Sequence, residues 1–163
     1  MLVEGSFTVE APREEVWRCI TDPAVMAPCV PGCEAIETVD SRNYKARVKV
    51  EFGPIKASFN LGVEITEENP PDSVRSITRG EEGSRASIVS AHNLLQLVPL
   101  DDRRTEIRYR SEVSVVGRLG KFGLGMMRKK ADQLGKQFGD RFTARLIGGV
   151  QAEGLPPQAD VGS

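Results

Sequence analysis

Three kinds of side chain in this sequence could carry chemistry: its single histidine, its three cysteines, and a few polar residues set among apolar ones. His92 is the natural candidate for a general base, because imidazole titrates near neutrality. It alternates with Ala91, Asn93, Leu95 and Leu97, however, and strand parity sends it to the opposite, outer face. Cys29 and Cys33 flank Val30-Pro31-Gly32, while Cys19 stands apart. An odd number of cysteines is a poor disulfide framework. With one histidine the set also falls short of a structural metal site, so reduced, partly buried thiols are expected and no metal is assigned. The adjacent carboxylates Glu14-Glu15, Glu67-Glu68 and Glu81-Glu82 fall at helix starts or turns, where water solvates them. No phosphate-binding glycine pattern or triad order is present, and no catalytic residue or cofactor is assigned. Tyr44, Tyr109 and Asn93 remain. They share rows with apolar residues, where they could hydrogen-bond a ligand carbonyl or serve as amphipathic core residues.

The elements that position these residues follow from hydrophobic period. Leu2 to Glu10 alternates, with Val3, Gly5, Phe7 and Val9 on one parity, the pattern of a half-buried strand. Ala11-Pro12 ends it, and Pro12 with Glu14 and Glu15 opens a helix. Thr21-Asp22-Pro23 stops that helix and begins a short second one over 24–27. After the Pro28 to Gly32 loop, strands dominate. A short one covers 34–39. Tyr44, Ala46, Val48, Val50 and Phe52 then alternate with charged residues, and beyond the Gly53-Pro54 turn Ile55, Ala57, Phe59, Leu61, Val63 and Ile65 alternate with Lys56, Ser58, Asn60, Gly62 and Glu64. Further strands are read over 73–79, 85–97 and 105–116, giving about seven in all, joined by short turns and therefore antiparallel.

After Gly117 the period changes. Leu119, Phe122, Met126, Met127, Ala131, Leu134, Phe138 and Phe142 recur at spacings of three and four, predicting one amphipathic helix over 118–146 that Gly148-Gly149 ends. Five glycines (Gly120, Gly123, Gly125, Gly135 and Gly139) lie in that stretch, each costing about 0.5–1 kcal/mol in a helix interior. Either they make room for a ligand or a movable lid, or they allow close packing on the sheet and a helix that starts only at Leu124. The stretch 118–145 holds eight basic and two acidic side chains in a chain whose net charge is −1. Arg128, Lys129, Lys130 and Lys136 are the candidate surface for an anionic membrane or an acidic partner. Nucleic acid is excluded as a partner, because aromatic residues do not interleave with these charges. No apolar run approaches the roughly 18 residues of a membrane span. The opening Met1-Leu2-Val3-Glu4-Gly5 lacks the features of a signal peptide, so the cytoplasm is the expected compartment, with peripheral contact at the inner membrane surface.

One apolar sheet face needs a cover, and only the last helix is long enough to supply it. A sheet curled around that helix encloses a volume suited to an apolar ligand. Its candidate lining is Phe7, Tyr44, Phe52, Phe59, Leu61, Asn93, Tyr109, Phe122, Met126, Met127, Leu134 and Phe138. The expected domain spans 1–147, with 148–163 a flexible tail.

Particular segments point to a family. Ala11-Pro12-Arg13-Glu14-Glu15-Val16-Trp17, Asp22-Pro23, Gly53-Pro54-Ile55-Lys56-Ala57 and Gly117-Arg118-Leu119-Gly120 carry a resemblance. More specific is Cys29-Val30-Pro31-Gly32-Cys33-Glu34, similar to a Cys-Ile-Pro-Gly-Cys-Glu loop. Together they resemble the carbon monoxide dehydrogenase G-subunit family, within the START-like or polyketide-cyclase (SRPBCC) superfamily, over about residues 1–146. The resemblance implies an α+β helix-grip fold: a curved antiparallel sheet of about seven strands around a long C-terminal helix, with two short helices after the first strand. It also implies a non-enzymatic accessory of a molybdenum hydroxylase, carrying a quinone-like or other lipophile. The alternatives are an adaptor, assembly or membrane-recruitment factor without ligand, and a cyclase- or hydrolase-like enzyme.

Overall fold

The computed structural model describes residues 1–83 and 86–154, the side chains of 147–154 excepted. Seven strands form one antiparallel sheet: β1 (Leu2–Val9), β2 (Cys33–Thr38), β3 (Asn43–Phe52), β4 (Ile55–Asn69), β5 (Ser73–Glu82), β6 (Ser87–Asp101) and β7 (Arg104–Gly117). Their order across the sheet is β1-β7-β6-β5-β4-β3-β2, so only β1 makes a long-range crossover to join the far edge. Between β1 and β2 lie two short helices, α1 (Arg13–Ile20) and α2 (Pro23–Met26), and a 3-10 turn over Ala27–Cys29. The Asp22 carboxylate caps α2 by accepting from the Ala24 N–H at 3.0 Å. Register shifts at Cys33/Ala35, Ile65/Glu67 and Pro99/Asp101 break the ladders, and such bulges sharpen the bend of a sheet.

The last helix, α3, spans Leu124–Gly154 and lies across the concave face. This corrects the predicted span at both ends. Gly117 at φ +95° and Gly123 at φ +85° hold backbone conformations that no α-helix continues through. Between them Leu119–Phe122 makes a separate 3-10 turn, so the alternative of a helix starting at Leu124 is the observed one. At the other end α3 runs through Gly148-Gly149. A glycine keeps its backbone donor and acceptor, and its cost of about 1 kcal/mol does not by itself end a helix. Of the tail expected from 148, residues 155–163 lie outside the described ones.

Among the described residues the concave face carries two apolar clusters. The first joins Val9, Val16, Ile20, Cys29, Leu97, Ile107, Phe142 and Leu146, and ties α1 and α3 to one end of the sheet. The second joins Ala57, Phe59 and Leu119, with Phe52 and Phe122 packed against it, at the other end. Leu119 is 1% exposed, so the 3-10 turn plugs that end of the sheet. Its N–H is satisfied by the Ser87 hydroxyl at 2.9 Å. Glu82, expected in a solvated turn, is instead buried at the end of β5, where its carboxylate accepts from the Arg118 guanidinium. In the first cluster the fully buried Thr105 hydroxyl donates to the Ala11 carbonyl at 2.8 Å, fastening β7 to the start of α1. Replacing it by the isosteric valine leaves that carbonyl dry and unpaired. Thr105→Val is therefore expected to lower stability by about 1–3 kcal/mol in urea unfolding, with the m-value unchanged.

Candidate functional site

Residue parity decides which side chains face α3, but position along each strand decides which of them meet open space. Along β7, Ile107 belongs to the first cluster and Val115 to the second, with Tyr109 and Ser111 between them. Along β6, Leu97 with Leu95 packed beside it belongs to the first cluster and Val89 to the second; Asn93 falls between, and Leu95 borders the open space. The middle of the concave face is thus left unfilled. It forms a cavity of about 480 Å³, within the usual range of small-molecule sites.

The sheet supplies Tyr44, Val63, Ile65, Val74 and the centre of β5 to β7 to its wall, while α3 supplies Leu134, Gly135 and Phe138. The remaining wall comes from Ile20, Met26, Val30 and Pro31, carried by α1, α2 and the loop after them. That loop is held on the sheet by Gly32. Its carbonyl accepts from the Lys49 N–H at 2.9 Å, and its backbone at φ +78° runs so close to β3 that a methyl group there would stand 2.0 Å from the Lys49 carbonyl oxygen.

One polar cluster interrupts the apolar lining. Register aligns Ser76 on β5 with Asn93 on β6 and Ser111 on β7. The Asn93 amide donates to Ser76 Oγ at 3.2 Å and to Thr78 Oγ1 at 3.0 Å, and its oxygen accepts from Ser111 Oγ at 2.8 Å. Both amide hydrogens are then engaged, which leaves the Ser76 and Thr78 hydroxyl hydrogens to donate elsewhere. The Tyr44 and Tyr109 hydroxyls have no hydrogen-bond partner among the described residues, nor do those two hydrogens. Tyr44, Ser76 and Thr78 therefore give the cavity wall a surplus of neutral donors. No Asp, Glu, Lys, Arg or His is among its described lining residues.

Burial raises the pKa of Tyr44. Burial, and secondarily the Asp132 carboxylate, raises that of Tyr109. Both phenols stay protonated past pH ~10, the ordinary tyrosine value. Since the folded pKa lies above the unfolded one in each case, their contribution to stability is complete below the unfolded value. It is lost as pH rises through the folded values. Absorbance titration of the native protein should therefore place the phenolate transition of both tyrosines, the only two in the chain, above that of the urea-unfolded protein.

Of the twelve lining residues expected from the sequence, Tyr44, Asn93, Tyr109, Leu134 and Phe138 line the cavity. The other seven are placed elsewhere. Phe52, Phe59, Leu61 and Phe122 belong to the second cluster, where Phe52 and Phe122 stack with centroids 5.8 Å apart. Phe52, Phe59 and Leu61 have the inward parity but lie under the Leu119 plug, of which Phe122 is the last residue. Phe7 packs edge-on against Phe138 and Phe142 in the first cluster. Met126 is 50% exposed and Met127 is buried, because α3 starts at Leu124 and its first turn leaves only one of the two facing inward. Ser76, Thr78 and the wall from Met26 to Pro31 did not stand out as a site. The signal available for the first two was a pair of hydroxyls at i and i+2 on an inward row, beside an inward asparagine.

Outside the cavity, His92 is exposed on the outer face. Arg128, Lys129 and Lys136 are exposed and Lys130 is half-buried; Arg128 also donates to the Leu2 carbonyl at 2.7 Å. Leu124, 70% exposed, and Met126 stand in the same turn of α3. The three thiols are free. Burial raises the pKa of Cys19 and Cys29, which keeps them as thiols. No group of three or more His, Cys, Asp or Glu among the described residues could hold a metal ion. No helix among them is long and apolar enough to cross a membrane.

The family profile described as the carbon monoxide dehydrogenase G-subunit (CoxG) matches residues 5–147. A conserved protein from Geobacillus kaustophilus is similar in structure, with a TM-score of 0.84 at 25% identity over 91% of this chain and 96% of that one. The Zhui aromatase/cyclase from a Streptomyces species follows at TM-score 0.70 and 18% identity, over 96% of this chain and 99% of that one. A START superfamily protein from Mycobacterium smegmatis gives 0.69 and 13%, over 90% and 97%. These last two likenesses establish the helix-grip fold. No curated protein matches the chain.

Proposed function

From the premise that this chain belongs to the CoxG family, the carbon monoxide dehydrogenase G-subunit, we propose that it is a non-enzymatic carrier of an uncharged lipophile bearing a carbonyl-type acceptor, of which a quinone is the natural example. The observation that carries this reading is the cavity's chemistry: apolar walls, one pole of neutral hydroxyl donors, and no charged side chain among its described lining residues. A carboxylate entering such a site would lose its hydration without gaining a cation, whereas a carbonyl gains donors for the water it leaves. The same lining argues for binding over catalysis, since the described wall offers no base, activated nucleophile or metal site. The family's name supports a carbon monoxide dehydrogenase-type molybdenum hydroxylase as the partner to which the lipophile would pass.

The test is mass spectrometry of organic extracts from protein purified without detergent, beside a Val63→Phe/Leu134→Trp variant that fills the cavity from sheet and helix. The expected result is a near-stoichiometric carbonyl-bearing lipophile in the wild type, absent from the folded variant. A folded wild type that yields none, and takes up no added quinone, overturns the carrier.

One observation favours a second reading, recruitment or assembly without a ligand. Leu124 and Met126 are apolar and exposed beside Arg128 and Lys129, a combination suited to an anionic membrane or an acidic protein face. Binding to the partner enzyme that survives filling of the cavity, and is lost with Leu124→Ser/Arg128→Glu, would place the function there.

A further inference from the structure

The cavity shares a wall with a second space. A groove of about 700 Å³ runs along the outside of the seam between β1 and α3, and both Tyr109 and Gly135 line the groove as well as the cavity. Tyr109 lies opposite Gly5 in the β1–β7 register. A methyl group added at Gly5 would stand 2.3 Å from its hydroxyl oxygen, and one added at Gly135 would stand 2.7 Å from it. The ring therefore reaches across the seam, and its end occupies the gap left by two missing side chains, one on the strand and one on the helix.

The seam is fastened on both sides of this point. Toward the first cluster, Phe7 packs on Phe138 and Phe142, with Gly139 close against the Phe7 ring. Toward the start of α3, Arg128 donates to the Leu2 carbonyl. Between those fastenings the partition is one half-buried aromatic side chain, whose hydroxyl has no hydrogen-bond partner among the described residues. The groove outside is polar, rimmed by Glu4, Asp132, Lys136 and Asp140. An amphipathic ring suits that boundary, with its body toward the apolar cavity and its hydroxyl toward the wet side.

We infer that the cavity exchanges its ligand through the seam between β1 and α3, with the Tyr109 side chain as the gate. The inference rests on the carrier reading above. A gate of this kind opens by rotation of one side chain about χ1 with α3 still fastened to the sheet, and such rotations are fast relative to helix displacement. The competing path leads past Met26 and Pro31, which line the cavity at the α2 loop.

Stopped-flow fluorescence with N-phenyl-1-naphthylamine, an uncharged dye that brightens in apolar sites, tests the gate. Removing a barrier common to both directions raises the association and dissociation rates together. Tyr109→Ala is therefore expected to raise both by about tenfold or more; loss of a wall contact alone would raise dissociation and leave association unchanged. Lys136 is exposed on the rim, so Lys136→Trp keeps the fold while placing an indole over the mouth. It is expected to slow both rates by roughly fivefold, and it decides the matter if Tyr109→Ala does not fold. A wild type that does not bind the dye at equilibrium overturns the carrier reading itself. Normal Kd with unchanged rates in the folded variants overturns the gate, as does slowing by Met26→Trp where Lys136→Trp has no effect.

Discussion

Gly32→Ala is expected to destabilise the protein by about 2–4 kcal/mol, a drop in Tm of roughly 5–15 °C for a chain of this size. Two costs combine. At φ +78° a side chain meets its own backbone, worth about 1–2 kcal/mol. The added methyl would also stand 2.0 Å from the Lys49 carbonyl oxygen, a rigid backbone atom, so the loop must lift and weaken the 2.9 Å bond from the Lys49 N–H. Gly53 provides the control. It holds φ +57° with nothing within 4 Å of an added methyl, so Gly53→Ala carries only the conformational cost of about 1–2 kcal/mol. Thermal unfolding of the two variants separates the terms; equal losses would show that the approach to β3 contributes nothing. The loop also brings Val30 and Pro31 to the cavity wall. Affinity for the neutral dye should accordingly fall in Gly32→Ala and stay unchanged in Gly53→Ala.

The strands were legible because β3 alternates apolar with charged residues and β4 and β7 largely alternate apolar with polar ones, and each alternation states which face is buried. What alternation cannot state is how far along a strand a residue lies from the ends of the helix that covers it. Phe59 and Val63 share a face of β4, yet one is sealed beneath Leu119 and the other meets the cavity. That division depends on the plug, and the plug depends on Gly117 and Gly123, two residues whose positive φ no hydrophobic period reports. The same cause moved Met126 outward: with the helix beginning at Leu124 its phase belongs to a new element.

The glycines of α3 were read as either ligand space or close packing. The structure gives Gly135 to the end of the Tyr109 ring and Gly139 to Phe7. At Gly135 the two readings coincide, because the residue whose close approach it permits also borders the cavity. Asn93 and the two tyrosines were legible because a polar residue on an otherwise apolar row needs a partner. Which partners Asn93 has was not legible, since it rests on the cross-strand register of β5, β6 and β7.

That register makes Asn93 the residue whose replacement should change binding most selectively. Leucine has nearly the same shape, so Asn93→Leu keeps the volume of the wall and removes the group that orients three hydroxyls at 2.8–3.2 Å. Without it, the Ser76 and Thr78 hydroxyls turn toward each other or toward strand carbonyls, and the surplus of donors facing the cavity is lost. Each hydrogen bond withdrawn from a ligand carbonyl is worth about 0.5–1.5 kcal/mol, so losing two weakens a ketone or quinone by roughly 10- to 100-fold. A hydrocarbon of equal size makes none of these bonds and gains apolar contact instead. Its affinity should hold or improve. Titrating wild type and variant with a quinone and with the hydrocarbon of the same carbon skeleton reads the difference directly. Equal losses for both ligands would mean that Asn93 shapes the wall without reading the ligand's oxygen. A loss confined to the quinone would identify the β5–β7 hydroxyl pole as the head-group site, with the Tyr109 partition close beside it on the same strand.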